Sequence, residues 1–478
     1  MAANYLHGVE TIELKKGPVP VSVVKSAVIG LVGIAPIGPK NTLTIVQNAQ
    51  DAAQFGSELP GFNIPQALAA IFAQGAGTVL VVNTFDGATN TAAVSGEARA
   101  VSTVGKTKTT AAPVSDFVLK KTVSGTTTTV TADKYIIDVF GNIVITDTTL
   151  LTDINAGTAA ITCDYKRLDG ATVNGAQIIG SIAGDTGVRT GIKVFGLSFT
   201  LFGMNPKILI APGYSSLSSV ATEMISAASA YRGVALLDAP AGTTVSAAIA
   251  GRGPLGTVGL FATGSDRAVL CFPMVKAYDA YSDVNQNRPL SQFLAGVIAS
   301  TDNSEGYWIS PSNKEIKGIV GVERTITWAV NDAQTDANLL NEKGILTLAQ
   351  GFGTGIRTWG NRSAAFPTVT SPNNFICVRR TADILHESLE LAMLQFIDRP
   401  INQATIDSIR ETVNAFIRTL IARGAVVDGI CTYDKAKNPP VELAAGHLTF
   451  DISFMPPTPA ERITFESFID INYLANLA

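Results

Sequence analysis

The feature that most narrows the possible folds is a pair of short strands that are apolar at nearly every position. Val28 to Ile34 and Thr78-Val79-Leu80-Val81-Val82-Asn83 show no alternation, so neither face of either strand is suited to water. Between them, Ile64 to Ala73 carries helical spacing. The pattern resumes with Lys207 to Ala211, a helix from Ser216 to Tyr231, Val234 to Asp238, a helix over Thr244 to Gly251, and Ala268 to Phe272. The two pieces read as one α/β domain interrupted by an insertion.

The interruption has its own composition. Gly87 to Gly187 is rich in Thr, Ser, Ala and Gly, with β-type runs such as Lys134 to Val139 and Ile143 to Asp147 about a Gly141-Asn142 turn. This predicts a small β-rich unit on the outside of a scaffold. Beyond the α/β segment, Leu290 to Ser300 is helical. Ile316 to Val320, Leu339 to Leu348 and Phe375 to Arg379 are strand-like, and Gln350 to Arg362 is a glycine-rich loop. A helix follows over Ala382 to Phe396.

The C-terminal stretch carries a strong helical signal. Ile406, Ile409, Val413, Phe416, Ile417, Leu420 and Ile421 make one apolar stripe, with Asp407, Arg410, Glu411, Asn414, Arg418 and Arg423 opposite and Gly424 as the stop. Ala425 to Tyr433, Leu448 to Phe454 and Arg462 to Tyr473 read as strands broken by Pro439-Pro440 and Pro456-Pro457. A strand that close to the terminus has little of its own chain to pair with. It either closes the local sheet or is lent to another subunit. At the other end, Tyr5 to Leu14 alternates loosely before the Gly17-Pro18-Val19-Pro20 connector, as an extended arm or a frayed terminus would.

At 478 residues the chain exceeds a single core. It divides into about two to four domains at ~100–200 residues each. Only 15% of residues are charged and 46% are hydrophobic, and the mean hydropathy is +0.27. Either a large α/β core or surface covered by partners accounts for that. A net charge of -4 with no Lys or Arg run gives no footprint for nucleic acid. The first ten residues lack a leader pattern, and the longest apolar run, Ala27 to Ile37, is far short of the ~20 residues that span a bilayer. The expected place of synthesis is therefore the cytoplasm. Cys163, Cys271, Cys377 and Cys431 lie far apart, so neither a zinc knuckle nor a disulfide framework is indicated, and Cys271 and Cys377 read as buried.

Catalytic patterns fail one by one. In Gly33-Ile34-Ala35-Pro36-Ile37-Gly38-Pro39-Lys40 the lysine is one place late for a P-loop, Asn41 replaces the magnesium-binding hydroxyl, and two prolines remove amides. Gly351-Phe352-Gly353-Thr354-Gly355 lacks the third glycine of a dinucleotide site, and Arg357 to Gly360 is expected to be a loop rather than a helix. His386 to Glu390 would need histidine at 390 to form a zincin helix. His7, His386 and His447 are the only histidines, and no GxSxG accompanies them. No catalytic, cofactor-binding or metal residue is assigned.

A resemblance lies in the glycine-rich loop and its surroundings. Leu339-Leu340-Asn341-Glu342-Lys343-Gly344-Ile345, Gly355-Ile356-Arg357-Thr358-Trp359-Gly360-Asn361-Arg362-Ser363 and Cys377-Val378-Arg379-Arg380, in this order and spacing, resemble the contractile tail sheath family of phages and phage-like particles. Thr190-Gly191-Ile192 leading to Asn205-Pro206-Lys207-Ile208-Leu209-Ile210-Ala211-Pro212-Gly213-Tyr214 agrees. The likeness covers about Thr190 to Ala478 and, less fully, the first eighty residues, but not the insertion.

The resemblance implies a multi-domain protein, α/β and α+β. It would have an arm at residues 1–25, an α/β middle domain at 26–86 and 188–361, a β-rich outer insertion at 87–187, and an inner assembly domain at 362–478 built with both termini. It implies stacked rings around a rigid inner tail tube, with baseplate and tail terminator proteins as further partners. The particle would be assembled in the host cytoplasm, without nucleic acid or membrane insertion. Tyr5, Val9, Ile12 and Leu14, and Ile463, Phe465, Phe468 and Ile471, are the expected inter-subunit strand arms. Arg410, Arg418 and Arg423 are candidates to face the tube, with an exposed ion-pair face as the alternative. Gly355, Arg357, Trp359, Gly360 and Arg362 form the family-like loop, whose arginines are expected to pin nearby carboxylates or carbonyls. A tube or shell subunit, and an α/β enzyme with a dispersed site, stay open at this point.

Overall fold

The computed structural model describes residues 20–477 other than 255, 258, 260 and 351–354. The apolar runs assemble one eight-stranded sheet from β1 (Val28–Gly33), β2 (Leu43–Val46), β3 (Thr78–Asn83), β4 (Ile208–Ile210), β5 (Val234–Asp238), β6 (Ala268–Cys271), β7 (Ile345–Gln350) and β8 (Ile356–Trp359). Their order is β8-β7-β6-β5-β4-β1-β3-β2. The run from β7 to β3 is parallel, and β8 and β2 close the edges antiparallel. Successive residues face opposite sides, so Val28, Leu80, Leu209 and Leu237 pack with helix α2 (Ser218–Ala230), while Ile29, Val79, Ile208 and Leu236 pack with α1 (Ile64–Ala73) and α3 (Leu290–Ser304). Cover on both faces is the physical reason the strands lack alternation.

The insertion forms two antiparallel sheets, one ordered Thr91–Arg99, Ala160–Leu168, Val114–Val123, Thr126–Thr129 and the other Lys106–Lys108, Asn142–Ile145, Tyr135–Ile137. It leaves the scaffold just after β3, at the carboxyl edge of the parallel strands, where α/β sheets hold their ligands. Here that edge is occupied by the chain's own side chains. Asn83 Oδ1 accepts from the amides of Ala35 (2.9 Å) and Phe85 (3.1 Å), and Asn63 Oδ1 accepts from Ile34 (2.8 Å). Buried Asp238 accepts from Ser215 Oγ (3.0 Å) and the Ser291 amide (2.8 Å).

Several expected elements take another form. Phe375 to Arg379 is not a strand but the entry to helix α4 (Ile376–Met393), which is buried on most sides and so hides its period. Leu339 to Leu348 splits into a helix at Asp336–Glu342 and β7 at Gly344, whose φ is +70°. Arg357 to Trp359 belongs to β8 instead of a loop, because Thr358 is drawn inward and its hydroxyl donates to Pro311 O at 2.6 Å. Ile316 to Val320 forms no strand, since the Lys317 amide donates to the side chain of Gln74. Arg462 to Asp470 has no strand partner among the described residues, and Ile471–Leu477 is a 3-10 segment.

A seam of buried ion pairs mounts α4 across the amino edge of the sheet. Asp383 receives Arg267, which precedes β6, and Arg379 at 2.8 Å; Glu387 pairs with Lys207, which precedes β4. Arg380 grips Asp302 of α3 through two bonds of 2.7 and 2.5 Å. Removing one partner leaves a buried charge alone. Asp302 has Arg380 as its one ion-pair partner among the described residues, so Arg380→Met is expected to lower unfolding stability by about 3–5 kcal/mol, and adding Asp302→Leu to restore much of it, as read by denaturant titration of the dispersed protein. At Asp238, burial raises the pKa from 3.8 to about 6, so folding takes up a proton between those values and stability falls as pH rises through that window. Asp238→Asn is expected to remove a pH dependence of about 3 kcal/mol between pH ~4 and ~6, measured against the parent chain.

Candidate assembly surface

The C-terminal unit is organised by α5 (Gln403–Ala422). Asn402 caps it by accepting from the Thr405 amide at 2.8 Å, and Gly424, with φ +78°, ends it. Its buried stripe, Val413, Phe416, Ile417 and Leu420, meets Ile384, Leu385 and Leu389 of α4. Val21, Val23 and Val24 from the start of the described chain join the same core, and the Val24 amide donates to Ser388 Oγ at 3.1 Å. The start of the described chain and the C-terminal unit therefore meet on α4. Over α5 lies the two-stranded sheet of β9 (Asp428–Thr432), shorter than the expected Ala425 to Tyr433 at both ends, and β10 (Asp451–Met455), which starts later than the expected Leu448 and ends one residue past Phe454.

Arg410 and Arg418 lie on the solvent side of α5, each in an ion pair on its own helix, with Asp407 at 3.1 Å and Glu411 at 2.7 Å. Arg423 is the exposed C-cap residue.

The family-like loop is a junction. Arg357 donates to Asn313 O at 3.0 Å, and Trp359 stands edge-on to Trp328 at 5.4 Å between centroids. Gly360 has φ +126°, and a Cβ there would lie 2.4 Å from Asn341 Oδ1, so only glycine fits. The Arg362 guanidinium lies 4.1 Å from the Phe366 ring centroid and 4.2 Å from that of Phe375. It donates to Asn374 Oδ1 at 2.8 Å and reaches both oxygens of Glu461. Glu461, Phe366, Phe375 and Asn374 were not singled out in the sequence, where nothing ties position 362 to position 461. Gly353, in the same loop, lies outside the described residues.

Beyond Glu461 the tail exposes its apolar side chains: Phe465 at 88%, Phe468 at 84% and Ile469 at 102% of full accessibility, with Ile463 and Ile471 also exposed. Val427, Ile430 and Met455 are exposed on and beside the small sheet. Tyr5, Val9, Ile12 and Leu14 lie outside the described residues.

All four cysteines are buried and free, and burial raises the thiols of Cys163 and Cys377 to about 11. Burial lowers the pKa of His386, which stands edge-on to Phe454, and His447 bonds Glu442 at 2.8 Å. Among the described residues no three metal-type side chains cluster, and no helix is long and apolar enough to cross a membrane. A groove of about 470 Å³ runs between Ser22–Lys25 and α4, with the paired Lys207 and Glu387 among its lining.

Comparison with known proteins agrees with this arrangement. Residues 195–364 match the phage tail sheath protein central domain, and residues 368–470 the phage tail sheath C-terminal domain. The chain is 45% identical over 478 residues to the tail sheath protein of Burkholderia phage BcepMu, covering 100% of this chain and 99% of that one. The fold resembles the anti-feeding prophage helical sheath in its contracted state, with a TM-score of 0.59 and 16% identity over 98% of this chain and 100% of the other. It also resembles the PVC sheath complex of an extracellular contractile injection system in its contracted state, with a TM-score of 0.57 and 16% identity over 99% and 100%. With close identity along its whole length and both domain models matched, the chain belongs to the phage tail sheath family.

Proposed function

We propose that this sheath subunit polymerises as stacked rings around a rigid inner tail tube and contracts to drive the tube through a cell envelope, without catalysing a reaction. The particle is a virion tail or phage-like particle assembled in the host cytoplasm, with baseplate and tail terminator proteins at its ends. The observation that carries this reading is the pairing, in one chain, of an exposed apolar tail after Glu461 with a two-stranded sheet that has no third strand among the described residues. Burying one Phe or Ile side chain contributes ~1.5–3 kcal/mol, and an added strand satisfies open backbone groups as well. In this reading residues 1–25 and the C-terminal tail are woven into neighbours, residues 362–478 form the inner assembly domain, residues 26–86 and 188–361 the middle domain, and residues 87–187 an outer decoration. The extended lattice is metastable, so contraction relaxes stored contact energy and needs no nucleotide. A tube or shell role is less well supported, because relatives by sequence are sheath proteins.

Two experiments test it. Deleting residues 1–16 or 462–478 is expected to leave a folded protein that no longer forms polymers in negative-stain images; long tubes from either deletion would refute woven arms. Reversing Arg410 and Arg418 to Glu is expected to leave self-polymerisation intact but abolish co-assembly around the tube and the salt sensitivity of that contact. Their local ion pairs are worth only ~0.2–1 kcal/mol each, so they can be exchanged for pairs across an interface. Normal extended tails from the double variant would remove α5 from the tube contact.

A further inference from the structure

Arg379, Asp383, His386 and Glu390 follow one another along α4 at spacings of four, three and four, so their side chains share one line on the helix. The acids of that line are already engaged. Asp383 accepts on one oxygen from Arg267 Nη2 at 2.9 Å and Arg379 Nη2 at 2.8 Å, and on the other from Arg267 Nη1. Glu390 pairs with Arg232, in the turn before β5, and Asp266 lies 3.6 Å from Arg379. His386 stands between these pairs. It is half-buried and makes no hydrogen bond among the described residues.

The small sheet rests on this imidazole. Phe454 of β10 meets it edge-on at 5.6 Å between centroids, and the one acid of β10, Asp451, is paired with Lys437. A second proton on the ring would therefore be a charge with no free acceptor on the line. Burial and then Arg232 and Arg379 hold the imidazole below its ordinary 6.5, while Asp383 and Glu390 oppose them less strongly. His447 is the contrasting case: it is exposed, with Glu442 at 2.8 Å to receive its charge.

We propose that His386 is a proton-operated catch between the scaffold helix α4 and the C-terminal sheet: in mild acid its imidazole takes a second proton and β10 lifts from α4, while the α/β sheet stays folded. The contact is fully present above the ordinary histidine value and is lost as pH falls through that of the docked ring. Within that window the ratio of released to docked sheet rises about tenfold for each unit of pH.

NMR of the dispersed full chain tests this, with a fluorine label on Phe454 and the ring nitrogens of His386 followed from about pH 7.5 to 4.5. The Phe454 signal is expected to change in step with His386 protonation, while the amides of β4 to β6 keep their protection from hydrogen exchange. His386→Phe retains an aromatic ring against Phe454 and should leave its signal constant over this range; His447→Gln should alter nothing. Arg232→Gln and Glu390→Gln break the same ion pair but act on the imidazole in opposite senses. The first removes a repelling cation and frees Glu390, so release moves to higher pH; the second removes an attracting acid, so release moves to lower pH. Shifts in the same direction would make the ion pair itself the cause and overturn the catch, and this comparison stands even where His386→Phe does not fold. Acid release persisting in His386→Phe or abolished by His447→Gln, His386 titrating with Phe454 unmoved, or β4 to β6 losing protection in step overturns it equally.

Discussion

The position of α4 depends on a line of charges withdrawn from water. Arg267, Lys207 and Asp302 sit on or beside the amino edge of the parallel sheet, and Asp383, Glu387 and Arg380 of α4 meet them. Such pairs add little net stability over an apolar seam, because desolvation consumes most of the Coulomb gain. Their effect is geometric: sliding α4 by one turn would leave several charges buried without partners. An apolar contact would tolerate that slip, and the ion-paired seam would not.

That rigidity gives the open edges of the C-terminal unit their meaning. A tail with its phenylalanines in water and a sheet of only two strands are both unfavourable in an isolated chain. Burial against another surface would make both favourable, and the seam holds them in fixed relation to the α/β scaffold. Arg362, held between Phe366 and Phe375 and bonded to Glu461, fixes where the tail leaves its own subunit. Asn414 ties α5 to β9 through both backbone groups of Cys431.

The carboxyl edge of the central sheet presents the opposite case. In α/β enzymes this edge is left concave for a ligand. Here Asn63, Asn83 and Asp238 spend their hydrogen-bonding capacity on neighbouring backbone and Ser215, and the insertion departs from the same edge. The scaffold serves as a mounting for other units, with its polar residues turned to internal use.

The sequence by itself determined the elements whose physics is local or two-sided. Strands 28–33 and 78–83 were legible because full burial forbids alternation, and α5 because one buried face imposes a 3.6-residue period. The resemblance in the loop at 355–363 was legible as pattern, though its conformation was not: Arg357 and Trp359 lie on a strand because Thr358 is captured from 47 residues upstream by Pro311. The start of α4 was misread because a helix buried on most sides loses its period. What only the tertiary structure decided are the long-range partners, Arg362 with Glu461, Arg267 with Asp383 and Asn414 with Cys431. A charge or an amide announces in sequence that it needs a partner, but which one it meets is set by how the sheet, α4 and α5 pack.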